Sequence, residues 1–182
     1  LPYKQKRRTR ASIAKERGLE PLADAIFQQD GRNPEELAKD YLDPEKEVNT
    51  VEDALQGASD ILAENISDDA AIRKALRELV TRRGSLQCKA AEDAEENGVY
   101  RLYYDFSQNI GRVLDHQILA INRGEKEGIL KVTVTLPGNE GAALVCRGAL
   151  KPGAAASAFV RAAAEDAYER LIFPSIQREI RN

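Results

Sequence analysis

The chain has 182 residues, a formal net charge of -3 and 42% hydrophobic residues, enough apolar material for one ordinary domain or two small ones. It contains no apolar run near the roughly 18 residues of a membrane span and no recognisable secretion or lipidation signal, so we expect a cytoplasmic protein without a membrane partner. Cys88 and Cys146 lack the spacing of a zinc site or a disulfide framework, which favours a reducing compartment.

The amino-terminal end is the most basic part of the chain. Residues 1–20 hold seven Lys and Arg against two Glu, whereas the remaining residues hold 20 cations against 28 anions. Five cations fall within seven residues, and Lys4, Lys6, Arg7, Arg8 and Arg10 are named here the basic segment. Cations at the start of a helix lie at the unfavourable end of its dipole, so local helix stability does not explain them. The basic segment is therefore the one candidate for a functional contact.

Three short helices joined by tight turns are predicted after the basic segment. The first begins with Thr9 as its cap and ends near Gly18, where a left-handed residue is favoured. The second starts around Pro21 and ends at Gly31, and the third is capped by Asn33.

Two longer helices follow, each with one apolar face. The first begins at Thr50, with Asp53 placed to complete a capping box, and the second begins with Ser67 and ends before Gly84. Their apolar faces consist of Val51, Ala54, Leu55, Ala58, Ile61 and Leu62 in the first, and Ile72, Leu76, Leu79 and Val80 in the second. This pattern predicts an antiparallel helical hairpin.

The middle of the chain is less regular. Residues 85–96 are polar and predict a loop, with a short extended piece around 86–89. Apolar residues from Val99 to Phe106 share a helical face, which predicts a helix there. A further helix is predicted from Asp115 to Arg123, closed by Gly124.

The period then changes to that of a strand. The stretch "ILKVTVTLPG" alternates apolar and polar residues and ends at a Pro-Gly pair, which predicts a strand. "EGAALVCRGAL" fits either a second strand or a short helix, and we favour the helix. The remaining residues predict a long helix interrupted at Pro174. The expected fold class is mainly α, multihelical with helical hairpins and a small β element around residues 129–136.

Catalytic chemistry has little support in the sequence. His116 is the only histidine and stands at a predicted helix start, where a cap or a partly buried polar residue is the common role. The pair Asp68 and Asp69 fits the first turn of a helix, and no third ligand stands near it in a metal-binding pattern. We expect no enzyme, no catalytic residue, no cofactor and no metal site.

The basic segment has two interpretations. Lys and Arg can contact the phosphates of a nucleic acid, which makes Lys4, Lys6, Arg7, Arg8 and Arg10 the candidate nucleic-acid-binding residues. They can equally pair with acidic groups of the same polypeptide or of a protein partner. Tyr3 is the only aromatic residue nearby, so no stacking platform for bases is present. Both interpretations stay open at this point.

Several long strings, in order along the chain, carry a family resemblance. They are "LPYKQKRRTRASIAKERGLEPLA", "ALQGASDILAENISDDAAIRKALR", "YYDFS", "HQILAINRGEKEGILKV" and "AEDAYERLIFPSIQREIRN". Together they resemble the bacterial transcription accessory protein family Tex, also called YhgF. The resemblance runs from Leu1 to Asn182, and it places "KRRTR", Lys6 to Arg10, in the family's signature.

The resemblance implies a domain arrangement and partners. Residues 1–182 would form one helical region, cut at both ends, upstream of an RNase H-like YqgF domain, helix-hairpin-helix units and an OB-type RNA-binding domain. The expected partners are RNA or DNA, bound mainly by those outer domains, together with the flanking domains of the same chain and the transcription machinery. The expected function is a non-catalytic scaffold with an auxiliary phosphate contact, and the alternative is a purely structural interaction module.

Overall fold

The structure, a computed structural model, describes residues 8–151 and 157–181. This part of the chain is mainly helical with one small sheet, as the sequence predicts. The helices are α1 (Arg10–Glu16), α2 (Glu20–Phe27), α3 (Pro34–Ala38), α4 (Val51–Ser67), α5 (Ala70–Arg83), α6 (Asp115–Lys126), α7 (Glu140–Ala149), α8 (Ser157–Asp166) and α9 (Phe173–Arg181). The strands are β1 (Ser85–Ala90), β2 (Asp105–Asn109) and β3 (Leu130–Thr135).

The chain folds into two compact units, each assembled from two separate stretches of sequence. The first consists of Leu1–Arg73 and Ala142–Pro174, and the second of Lys74–Gly141 and Ser175–Asn182. We call them the helical unit and the sheet unit.

Helix α4 is the centre of the helical unit, where it packs against α1, α2, α3 and α8. Its predicted apolar face is confirmed, since Ala54, Ala58 and Ile61 are fully buried. Small residues bring α1 close to α4. A Cβ placed on Gly57 would lie 2.2 Å from the Cδ1 of Leu19 and 3.3 Å from the Cβ of Ala14.

Most predicted helix starts in this unit are confirmed. The side chains of Thr9, Asn33 and Thr50 cap α1, α3 and α4. The predicted start of α5 at Ser67 is wrong, because Ser67 ends α4 and its hydroxyl donates to the carbonyl of Glu64 at 2.7 Å. Asp69 has the capping role instead, and its carboxylate accepts from the N–H of Ile72 at 3.0 Å.

The two long helices, predicted as one hairpin, fall largely into different units. From Lys74 onward, α5 belongs to the sheet unit, whereas α4 lies in the helical unit. Hydrophobic faces specify that a helix is buried, but they do not specify which partner buries it.

The sheet unit contains an antiparallel sheet with strand order β2-β1-β3. Cys88 of the central strand faces Phe106 on one side and Val132 on the other. The side chains of Leu86, Cys88 and Val134 are buried on one face of this sheet, and α6 packs against β3. The opposite face carries polar residues, as expected where an antiparallel sheet meets water.

One prediction for this unit is confirmed in part and another is wrong. The short extended piece predicted around 86–89 is confirmed as the central strand β1, and the predicted loop begins only after Ala90. The helix predicted from Val99 to Phe106 is a single 3-10 turn at Arg101–Tyr103 followed by β2. Pairing of β2 with β1 overrides the helical spacing of the apolar residues, and Val99 and Leu102 are left exposed.

Most predictions for the rest of the chain hold, some of them with small changes. The strand predicted around residues 129–136 is confirmed as β3, and the favoured helix at "EGAALVCRGAL" is confirmed as α7. Helix α6 continues past Gly124, its predicted end. Gly124 is buried against Leu130 within the helix, and Gly128, with φ +76°, follows the helix end. The helix break predicted at Pro174 is absent from this described stretch of the chain, and a π-helical segment, Ala167–Ile172, lies directly before α9 instead. A wider turn accommodates the missing proline N–H without a break.

Candidate nucleic-acid interface

The basic segment leads into the start of α1. Lys4, Lys6 and Arg7 lie outside the residues that the structure describes, so only the last two members have a described position. Arg8 and Arg10 stand on either side of Thr9, the residue that caps α1.

Thr9 is held in place by two sets of hydrogen bonds. Its hydroxyl accepts from the N–H of Ser12 at 3.0 Å, and the Ser12 hydroxyl accepts from the N–H of Thr9 at 2.8 Å. The Thr9 hydroxyl also donates to the carboxylate of Glu64 on α4 at 3.0 Å. These bonds fix the backbone of the basic segment, at its carboxyl end, to the centre of the helical unit.

Arg8 already has an anionic partner. Its guanidinium lies 2.7 Å from the carboxylate of Glu16, and the two side chains are 69% and 61% exposed. Exposed ion pairs of this kind contribute roughly 0–1 kcal/mol and are screened by salt. Arg8 can therefore exchange Glu16 for a phosphate at little cost.

Arg10 is exposed and makes no ion pair with a residue in the described part of the chain. It lines a depression of about 280 Å³ together with Arg17, Asp53 and Asp60. Arg17 is bonded to Glu47 at 2.9 Å. Reasoning from the sequence leaves Arg17 out of the site, although its spacing of seven residues from Arg10 places both on one face of α1.

The electrostatics of this surface are mixed. Arg8 and Arg17 are paired with carboxylates, and the acidic side chains of Asp53 and Asp60 lie beside Arg10. Both interpretations of the basic segment thus have a structural counterpart, since one arginine is paired in cis and another is open to an external anion.

The candidates for other chemistry are a helix cap, an exposed histidine and two buried thiols. Asp69 caps α5, and His116 is exposed in the first turn of α6. Burial raises the pKa of the Cys88 thiol to about 11 and also raises that of Cys146, so neither is an activated nucleophile. Among residues 8–151 and 157–181, no group of three or more His, Cys, Asp or Glu side chains could hold a metal ion. None of the described helices is long and apolar enough to cross a membrane.

The fold and these side chains define a class: a mainly helical module whose amino-terminal helix bears a partly neutralised basic surface. The chain belongs to the Tex central region-like family, whose family model matches residues 29–182. This confirms the resemblance seen in the sequence. The matched range begins after α2, so the basic segment precedes it.

Individual relatives extend the match. The protein YdcI of Bacillus subtilis is 43% identical over 185 residues, covering 99% of this chain. Protein tex of Bordetella pertussis is 44% identical over 136 residues, covering 74% of the chain. The human S1 RNA-binding domain-containing protein 1 is 32% identical over 198 residues, covering 99% of the chain. The chain spans 26%, 17% and 19% of the lengths of these three proteins.

Proposed function

We propose that this chain is a non-catalytic helical scaffold of a Tex-like, nucleic-acid-binding transcription accessory protein. In it, Lys4, Lys6, Arg7, Arg8 and Arg10 make an auxiliary contact with the phosphate backbone. A contact of this kind contributes affinity without sequence specificity. The main nucleic-acid-binding surface belongs to other domains, namely the YqgF, helix-hairpin-helix and OB-type domains expected beyond these 182 residues.

The observation that carries the phosphate contact is the fixed position of Thr9 between two exposed arginines. Because Thr9 is bonded both to α1 and to Glu64 of α4, the side chains of Arg8 and Arg10 project from an ordered point of the helical unit. Arg8 is in an exposed ion pair with Glu16, which a phosphate can replace, and Arg10 shares its depression with Asp53 and Asp60. Family membership and the name of the human relative support nucleic acid as the partner.

The test is binding to RNA and to duplex DNA as a function of salt, measured by fluorescence anisotropy. We expect the parent chain to bind detectably near 50 mM salt. A variant with all five cations of the basic segment changed to Ala should bind at least tenfold more weakly. If all five reach duplex phosphates, the slope of log K against log salt should fall in magnitude by up to about 4.5 in the variant.

A charge-matched control comes from five exposed cations elsewhere. These are Lys46, Arg112, Lys131, Arg161 and Arg178, which the control variant changes to Ala together. It loses the same formal charge but keeps the basic segment. If both variants bind equally weakly, the loss of affinity is due to net charge and not to the basic segment. If the parent chain does not bind at low salt, the proposed phosphate contact is wrong.

The second candidate is a structural interaction module whose basic segment pairs with carboxylates. The bond between Arg8 and Glu16 favours it, since this cation is within hydrogen-bonding range of a glutamate. The variant Glu16→Gln separates the two functions. Freed from its partner, Arg8 should bind phosphate two- to threefold more tightly if the contact is real, whereas a structural role leaves nucleic-acid binding absent.

Catalysis is tested separately. The proposed scaffold should release no product from RNA or DNA in the presence of Mg²⁺ or Mn²⁺. Hydrolysis that persists through purification and is lost with a point change in this chain would overturn the non-catalytic proposal.

A further inference from the structure

Two apolar side chains of the sheet unit stand almost fully in water. Val99 is 92% exposed and Leu102 is 81% exposed, three residues apart around the 3-10 turn that precedes β2. Single exposed apolar residues are ordinary, but two neighbouring ones on a short turn form a small apolar ridge.

The backbone under this ridge is well supported. The hydroxyl of Tyr104 donates to the carbonyl of Glu95 at 2.6 Å, which ties the end of the turn to the segment before it. The rings of Tyr103 and Phe106 meet edge to face with centroids 5.4 Å apart. The ridge is therefore presented by an ordered part of the sheet unit, which lowers the entropic cost of binding to it.

A cavity of about 540 Å³ opens beside the ridge. Its walls include Val99, the ring of Tyr100 and the ring of Tyr104. The charged residues that line it are Asp93, Glu95, Glu127 and Arg123. Three carboxylates against one guanidinium give the cavity an acidic character.

The segment leading to the ridge is acidic as well. Residues 91–98 contain Glu92, Asp93, Glu95 and Glu96 and no cation, and all four side chains are exposed. Such a surface repels phosphate and attracts Lys and Arg. An occupant that covers the apolar ridge must therefore bring basic side chains next to apolar ones.

We propose that the ridge (Val99 and Leu102) and the acidic segment (residues 91–98) form the docking surface for another domain of the same polypeptide, one that presents basic and apolar side chains. This inference rests on the proposed function, in which the chain is a scaffold between further domains. The region that matches this chain makes up only 17–26% of each of these relatives. The rest of each relative is long enough to contain the docking domain. Burial of the ridge supplies affinity, and the acidic segment supplies orientation.

Cysteine labelling in the full-length polypeptide tests this proposal. Within these 182 residues the native thiols are a silent background, because Cys88 and Cys146 are buried and have raised pKa values. The variants Val99→Cys and Leu102→Cys introduce a reporter on the ridge, and Leu42→Cys introduces one at an exposed leucine of the helical unit. Mass spectrometry of the labelled peptides gives the rate of maleimide addition at each position.

We expect the ridge thiols to react at least tenfold more slowly in the folded polypeptide than in the same variant unfolded in guanidinium. Changing Glu92, Asp93, Glu95 and Glu96 to Gln should restore at least half of the lost rate, as should 1 M salt. The Leu42→Cys thiol should not respond to the charge change.

Ridge thiols that react in the folded protein as fast as in the unfolded one would overturn the docking surface. If the ridge thiols react slowly and their labelling rate changes neither in 1 M salt nor in the Gln variant, the occupant is not basic. A labelling rate that rises after nuclease treatment would show that a nucleic acid, and not a domain, covers the ridge. Because nucleic-acid binding is measured on the same samples, open thiols in a protein that still binds RNA or DNA would leave the proposed function standing.

Discussion

The helical unit and the sheet unit are stabilised by interactions of different range along the chain. In the helical unit, caps and apolar stripes act within one or two turns, and small residues such as Gly57 let the finished helices approach. In the sheet unit, Cys88 pairs with Phe106 and with Val132, which lie 18 and 44 residues further along the chain. The difference shows that the individual helices of the helical unit are specified locally, whereas the strands of the sheet unit depend on pairing between distant segments.

Deleting a core side chain in each unit is the strongest test of this comparison. Ile61 of α4 and Ile121 of α6 are both essentially inaccessible to water. We expect Ile61→Ala and Ile121→Ala each to lower the free energy of unfolding by about 2–5 kcal/mol, through lost burial and a residual cavity. Urea denaturation measures the loss, and hydrogen exchange reports which unit opens. Leu114→Ala, at a half-exposed leucine, is the control and should lower the free energy of unfolding much less than either Ile→Ala variant.

Overpacking at the buried glycines tests close approach in the two units. A Cβ on Gly57 would meet Leu19, and a Cβ on Gly124 would meet the Cδ1 of Leu130 at 2.6 Å. Alanine usually stabilises a helix relative to glycine, but here we expect Gly57→Ala and Gly124→Ala to destabilise by about 1–3 kcal/mol. Thermal melts check the sign.

A double-mutant cycle identifies the cause. Combined with Leu19→Ala, the change Gly57→Ala should cost less than it does alone, because the clashing methyl group is gone. Additive costs would mean that helix packing at Gly57 does not determine the effect.

A buried amide contributes a non-local element to the helical unit. Gln29 is 5% exposed, and its side chain donates to the carbonyls of Phe27 and Ala149 and accepts from the N–H of Lys151 at 2.9 Å. Gln29→Ala should lower stability by about 1–3 kcal/mol, since buried backbone groups lose their partners. The neighbouring exposed Gln28→Ala is the matched control, and equal losses for the two variants would argue against the buried network.

The smallest expected effect concerns the cap of α1. Thr9→Ala removes the bonds to Ser12 and Glu64 and should cost about 1 kcal/mol, with faster amide exchange confined to the first turn of α1. Thr9→Ser keeps the hydroxyl and should stay close to the parent. A Thr9→Ala protein with unchanged exchange in α1 would show that the basic segment is not anchored as described.

The success of prediction from sequence follows the same division. The caps predicted at Thr9, Asn33 and Thr50 are confirmed, because a cap depends on a side chain and a backbone N–H two or three residues away. The helix predicted from Val99 is wrong, because nothing in residues 99–106 reveals that β1 lies beside them. The basic segment is visible in composition alone, yet the pairing of Arg8 with Glu16 and the position of Arg17 need the folded chain.

By itself, the sequence determined the mainly helical class, the strand at β3, the resemblance to the Tex family and the location of the basic segment. These depend on periodicity, on caps and on strings of residues, all of which are written along the chain. The tertiary structure decided which strands pair, which partner buries each apolar helix face and which cations are already neutralised. Those outcomes depend on distances between residues far apart in sequence, and such distances exist only after the chain has folded.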